Sequence, residues 1–129
     1  MKKTIIYTAL FLIPLLSYSQ NKAKAPEAAD TAKVNGLINE AKTYFTSDAP
    51  KALSLSYEAR NLAKKVGFST GEAYAYKNIG ITYYFQNKYL EALDNYNQSL
   101  HIFQEIKDNV GIANLQNNIE ALCLLWLLL

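Results

Sequence analysis

The sequence predicts an all-α fold, a solenoid of antiparallel helix pairs, and three observations carry that expectation. From Asp30 onward apolar residues recur at helical spacing, with no alternating stretch and no Asn-Gly or Asp-Gly hairpin signal. Turn and cap residues cut this pattern into helix-length pieces. The pieces then repeat. Gly71-Glu72-Ala73-Tyr74-Ala75-Tyr76-Lys77-Asn78-Ile79 recurs further along the chain as Gly111-Ile112-Ala113-Asn114-Leu115-Gln116-Asn117-Asn118-Ile119. A fixed period long enough for two helices is the signature of a helical repeat array.

Each helix has its own start and stop. Asp30-Thr31 can cap a first helix running to about Thr46. Ser47-Asp48-Ala49-Pro50 offers a cap and a proline tolerated only in a first turn, so a second helix begins there. It runs to Val66, with Lys64 and Lys65 in its last turn and Gly67 beyond as the stop. Ser69-Thr70-Gly71-Glu72 has the spacing of a capping box opening a third helix. Gln86-Asn87-Lys88 breaks it, a fourth runs from Tyr89 to about Ile106, and a fifth starts near Val110 or Gly111.

The same 40-residue shift also sets Ala52-Leu53 on Ala92-Leu93, Ala59 on Ser99, Leu62 on Ile102 and Val66 on Ile106. The period alone would suit HEAT or armadillo repeats as well. Residues inside it discriminate. Tyr76, Ile79, Gly80 and Tyr83 keep an aromatic-x-x-aliphatic-Gly-x-x-Tyr spacing, and Ala92, Tyr96 and Ser99 follow as Ala-x-x-x-aromatic-x-x-small. This middle unit resembles the tetratricopeptide repeat family. The resemblance implies a right-handed solenoid in which small residues at Gly80, Ala92 and Ser99 let paired helices approach while the aromatics fill the wedge. Leu37, Ala41, Tyr44, Ala52 and Ala59 make a weaker first unit. The expected division is residues 30–67 for repeat one, 68–107 for repeat two and 108–129 for a half repeat with an atypical apolar tail.

The chain starts differently. Lys2 and Lys3, an apolar run from Thr4 to Leu16 and then Ser17-Tyr18-Ser19 have the layout of a secretory signal peptide over 1–19, with cleavage expected before Gln20. Export to the periplasm or outside the cell follows. Residues 20–29 read as a flexible lead-in. The chain carries 13 Lys and Arg against 11 Asp and Glu; without the two leader lysines the count is 11 of each. A neutral domain lacks the electrostatic footprint of a nucleic-acid binder. One cysteine, Cys123, excludes an internal disulfide.

Candidates for chemistry are sparse. His101 is the only histidine, so no histidine-based metal cage or HExxH site can form. Cys123 sits in an apolar run as a small hydrophobe, and no GxxxxGK is present. Asn97-Gln98-Ser99 fits a glycosylation acceptor by chance, since Ser99 is an expected packing residue. No enzyme, cofactor or metal is expected. What remains is a surface. A stripe of Tyr74, Lys77, Ile81, Tyr84 and Phe85 lies at three- and four-residue spacing beside the packing stripe. Its counterparts are Asn35, Ile38, Lys42 and Phe45 in the first unit and Asn114 and Asn117 in the last. The resemblance implies that these residues line a concave groove for a peptide or helix of a partner protein. Repeats that clamp carboxylate tails are similar at Lys77 but have asparagine where Ile81 stands.

Two functional readings follow: a free-standing exported adaptor, or the N-terminal sensor of a longer signalling protein with a histidine kinase, nucleotide cyclase or DNA-binding output. The second rests on likeness of layout alone. The run Leu124 to Leu129 breaks the repeat pattern. It suggests a truncated longer array, or self-association through the tail. Membrane association through an uncleaved leader or that tail is a minor alternative.

Overall fold

The computed structural model describes residues 24–128, and among them every regular element is helical. In chain order the helices are α1 (Ala28–Lys42), α2 (Ala49–Val66), α3 (Ser69–Phe85), α4 (Tyr89–Glu105) and α5 (Asn109–Leu128). Each packs on the next, and α1 also packs on α3, which is the arrangement of a helical solenoid. The leader and its cleavage site lie outside the described residues. None of the described helices is long and apolar enough to cross a membrane.

The turns repeat twice as often as the sequence pattern. Gly67, Asn87 and Lys107 all adopt left-handed backbone, with φ of 73°, 59° and 57°. Their spacing is even, at half the sequence period. At each, the following residue's N–H reaches back along the helix: Phe68 to Ala63 O (2.8 Å), Lys88 to Tyr83 O (3.0 Å) and Asp108 to Phe103 O (2.9 Å). This is one Schellman closure used three times, satisfying carbonyls that a helix end would otherwise leave bare. The chain then re-enters a helix at Ser69, Tyr89 and Asn109, in the same even steps.

Three boundaries differ from expectation. The first helix stops at Lys42 rather than Thr46, because the Thr43 N–H and Oγ1 both turn back to Glu40 O at 3.0 and 2.8 Å, tightening the exit. It also starts earlier, at Ala28 with Glu27 in the cap position, so Asp30 lies in its first turn and Thr31 Oγ1 donates to Ala28 O at 3.0 Å instead of capping. Within the expected Ser47–Pro50 start of α2 it is Asp48 that caps, its Oδ1 accepting from the Lys51 N–H at 3.0 Å, with Pro50 in the first turn. The capping box at Ser69 does not form. The link from α2 is so short that Ser69 is already helical and Phe68 holds the cap position without a side-chain bond.

The core explains the glycines. A Cβ at Gly80 would stand 2.5 Å from ring atoms of Tyr96 and 3.1 Å from Ala92 O. One at Gly71 would stand 2.5 Å from Phe68 and 2.7 Å from Val34, and one at Gly111 would overlap the Phe103 ring. The α3–α4 and α4–α5 crossings therefore lay an aromatic ring on bare backbone, and Phe68 does the same at Gly71 from the turn ahead of α3. Ile79, Ala92, Tyr96 and Ser99 are buried, and Ser99 Oγ donates to Ala73 O at 2.8 Å, linking α4 to α3. Tyr76 and Tyr83 are only half-buried. They face α2, with the Arg60 guanidinium 5.4 Å from the Tyr76 ring and the Tyr57 and Tyr83 hydroxyls 3.1 Å apart.

Candidate partner-binding face

Apolar burial divides into two clusters. One gathers Val34, Ile38, Ala59, Ala63 and Ala75; the other Ala73, Ala92, Tyr96, Phe103, Leu115 and Leu122. Tyr74 packs against both, its ring edge-on to Phe103 with centroids 5.1 Å apart at 78°. The sequence places Tyr74 on the groove stripe, yet the structure commits its ring to joining the two clusters. Ile38 is likewise drawn inward, 5 % exposed, so it supports the stripe from beneath and does not line it.

The remaining stripe residues stay at the surface. Asn35 and Lys42 on α1 and Asn114 and Asn117 on α5 are exposed. Lys42 Nζ donates to Asn39 Oδ1 at 3.1 Å. Lys77 on α3 is half-buried, with Nζ 5.9 Å from the Tyr74 ring centroid. Burial lowers the Lys77 ammonium below the ordinary lysine value, and the charge of Lys42 lowers it further. That repulsion shows α1 and α3 presenting two cations to one region. Such a region favours an arriving anion or carbonyl dipole.

Ile81 and Tyr84 are half-buried and line a cleft of about 190 Å³ with Phe85, Asn118 and Ala121, floored by Tyr96. The cleft lies where α5 stands off from α3. One polar contact accounts for its openness. Asn78 Nδ2 is buried and donates to Ile38 O at 2.9 Å, tying α3 to α1. The repeat shift turns Asn78 into Asn118 and Ile38 into Asn78, so Asn118 should tie α5 to α3 at the Asn78 carbonyl. It does not. That carbonyl accepts from Thr82 Oγ1 at 2.8 Å, and Asn118 Nδ2 is buried with no hydrogen-bond partner among the described residues. Asn118 was not among the residues expected on the face. Its signal was present in the repeat alignment, but the bond its counterpart makes was not.

Other candidates are plainly placed. His101 is exposed, 3.4 Å from Glu105 Oε1. Cys123 is exposed on α5 and does not pack as a covered hydrophobe. Among the described residues no group of three or more His, Cys, Asp or Glu side chains could hold a metal ion.

Comparison with known families agrees with this geometry. The tetratricopeptide repeat family model matches residues 40–105, just over half of the 129-residue chain. The chain belongs to the tetratricopeptide repeat family. No curated protein and no solved structure matches it significantly. Tetratricopeptide repeats serve as protein–protein interaction modules, typically without catalysis of their own. The matched span runs from the end of α1 through α4, so it takes in the Gly80–Tyr96 crossing and two of the three left-handed closures.

Proposed function

We propose that this tetratricopeptide protein is an exported adaptor that holds a peptide or helix of a partner protein across α1, α3 and α5. The observation that carries the reading is the cleft between α3 and α5. Ile81, Tyr84 and Phe85 offer apolar area there, and the unpartnered Asn118 amide offers a buried donor. A partner backbone carbonyl meeting Asn118 Nδ2 would satisfy a group whose isolation costs about 1–3 kcal/mol. Lys42 and Lys77 add an electrostatic preference for an acidic side chain at the α1–α3 end, and Asn114 and Asn117 can bond backbone without selecting sequence. Export rests on the leader-like layout of residues 1–19.

The test places a photoreactive residue at Ile81 or Asn117, and for comparison at Asn61, which is exposed on α2. The protein is then expressed in its native host. Covalent adducts to one partner are expected from the first two positions only. Adducts from Asn61 as readily as from Ile81 would sink the groove. Lys77→Ala with Asn117→Ala should weaken capture of that partner at an unchanged melting temperature. Tyr74→Ala should lower the melting temperature, because the ring joins the two clusters. N-terminal sequencing of the exported fraction should begin at Gln20, and a retained Met1 there would refute cleavage.

A further inference from the structure

The array builds the place between α3 and α5 twice, and the two copies differ. The cleft is lined by Ile81, Tyr84, Phe85, Tyr96, Asn118 and Ala121. The repeat shift carries these back onto Ala41, Tyr44, Phe45, Ser56, Asn78 and Ile81. There the place is shut. Ala41, Ser56 and Asn78 are buried, and the Asn78 amide bonds Ile38 O on the neighbouring helix at 2.9 Å.

Two changes leave the second copy open. Isoleucine at 81 becomes alanine at 121, which is exposed, so the α5 wall lacks the carbons that isoleucine carries beyond Cβ. Asn118 Nδ2 is buried without the carbonyl that its counterpart meets. Tyr96 in place of Ser56 raises the floor, yet about 190 Å³ remains. The cleft is therefore short of one apolar group and one hydrogen-bond acceptor.

Charge is unwelcome there. No Lys, Arg, Asp or Glu is among the lining residues. Burial raises the Tyr96 phenol above its ordinary value, and the phenol of Tyr84, on the same cleft, raises it further. A place that resists charge on its own side chains resists an arriving carboxylate or ammonium too. Size is also set. An apolar cavity of about 150 Å³ accommodates a benzene ring, so this one takes a single side chain of leucine or phenylalanine size.

We propose that the α3–α5 cleft is a specificity pocket for one uncharged aliphatic or aromatic side chain of the partner, with a main-chain carbonyl beside that side chain meeting Asn118 Nδ2. The pocket presupposes the partner groove proposed above and names what the partner must present to it. The incoming side chain stands where Ala121 leaves the wall short, and the carbonyl takes the part that Ile38 O plays for Asn78.

The experiment titrates the full chain, isotopically labelled for nuclear magnetic resonance, with blocked peptides Gly-Ser-X-Ser-Gly in which X is Leu, Phe, Asp or Lys. The leucine and phenylalanine peptides should shift the Asn118 side-chain amide and the Ile81 and Ala121 methyl signals saturably. The aspartate and lysine peptides should leave those signals in place. Ala121→Ile closes the cleft with the protein's own carbons, and Asn118→Leu removes the donor. Each should weaken the leucine peptide about tenfold or more, with helicity unchanged by circular dichroism. Three results overturn the pocket: no shift from either apolar peptide up to its solubility limit, an aspartate peptide that moves Asn118 as far as leucine does, or a leucine response that survives Ala121→Ile. In each case photocrosslinking from Ile81 and Asn117 still decides the groove. Adducts there beside an indifferent cleft remove the pocket alone; adducts from neither position remove both.

Discussion

Replacing Gly80 by alanine tests the helix crossing with the smallest available perturbation, one methyl group. The added Cβ would lie 2.5 Å from Tyr96 Cδ1 and Cε1 and 3.1 Å from Ala92 O. Tyr96 is 2 % exposed, so its ring has little space to retreat into, and Ala92 O is backbone. Forcing an extra carbon into a closed core costs about 1–3 kcal/mol, and a pinned ring puts this site towards the upper part of that range. Alanine in a helix interior returns about 1 kcal/mol over glycine. The net expectation is a loss of about 1–2 kcal/mol. Gly36, in the middle of α1, supplies the control: a Cβ there meets nothing within 4 Å. Gly36→Ala should therefore gain about 0.5–1 kcal/mol from propensity alone. With about 4–8 °C per kcal/mol for a domain near this size, the two variants should move the melting temperature in opposite directions, Gly80→Ala downward by roughly 5–10 °C. Thermal melts followed by far-ultraviolet circular dichroism read both. If Gly80→Ala is as stable as Gly36→Ala, the ring does not rest on the backbone and the crossing has been misassigned.

Two further outcomes follow from single contacts. Asn78→Leu removes the buried bond from Asn78 Nδ2 to Ile38 O that ties α3 to α1 and inserts a branched apolar side chain into a filled site, so urea unfolding should show a loss of about 1–3 kcal/mol. Asn118→Leu removes a buried amide that has no partner, and should be neutral or stabilising by the same measurement; equal losses would mean the two asparagines are equivalent after all. Burial and the bond to the Tyr83 hydroxyl raise the Tyr57 phenol from 10.0 to about 12. A raised phenol favours the neutral form in the folded state, so its contribution is intact below pH 10 and is lost as pH climbs from 10 through 12. Tyr57→Phe should flatten that alkaline decline in melting temperature, and an unchanged decline would place its cause at another group.

Much of the architecture was legible because its determinants are local. Gly67 announces a left-handed stop, Pro50 a first turn, and the 71–79 and 111–119 segments declare a period. The finer period of the closures was harder to see, since Asn87 and Lys107 carry the same backbone as Gly67 with unrelated side chains. The capping box at Ser69 failed because a short link consumed the position the cap needed. On the candidate face, periodicity could sort Tyr74 and Ile38 onto a stripe but not say which side of the stripe faces in. For Tyr74 that depends on Phe103, an aromatic carried by the following helix and remote from it in the chain. Asn118 was hidden for the opposite reason: its importance lies in a bond it does not make.

The way each helix leans mainly on its neighbours bears on how the molecule comes apart. Each middle helix is held from both sides, whereas α5 is braced mainly by α4 and lacks the tie that binds α3 to α1. In a linear array of this kind opening proceeds unit by unit from an end, and the least-braced end goes first. Amide hydrogens of α5 should exchange through excursions far cheaper than global unfolding, while those of α2 and α3 wait for the whole domain. A partner bound on α5 would then act as a clasp, raising the protection of the last helix towards that of the middle ones.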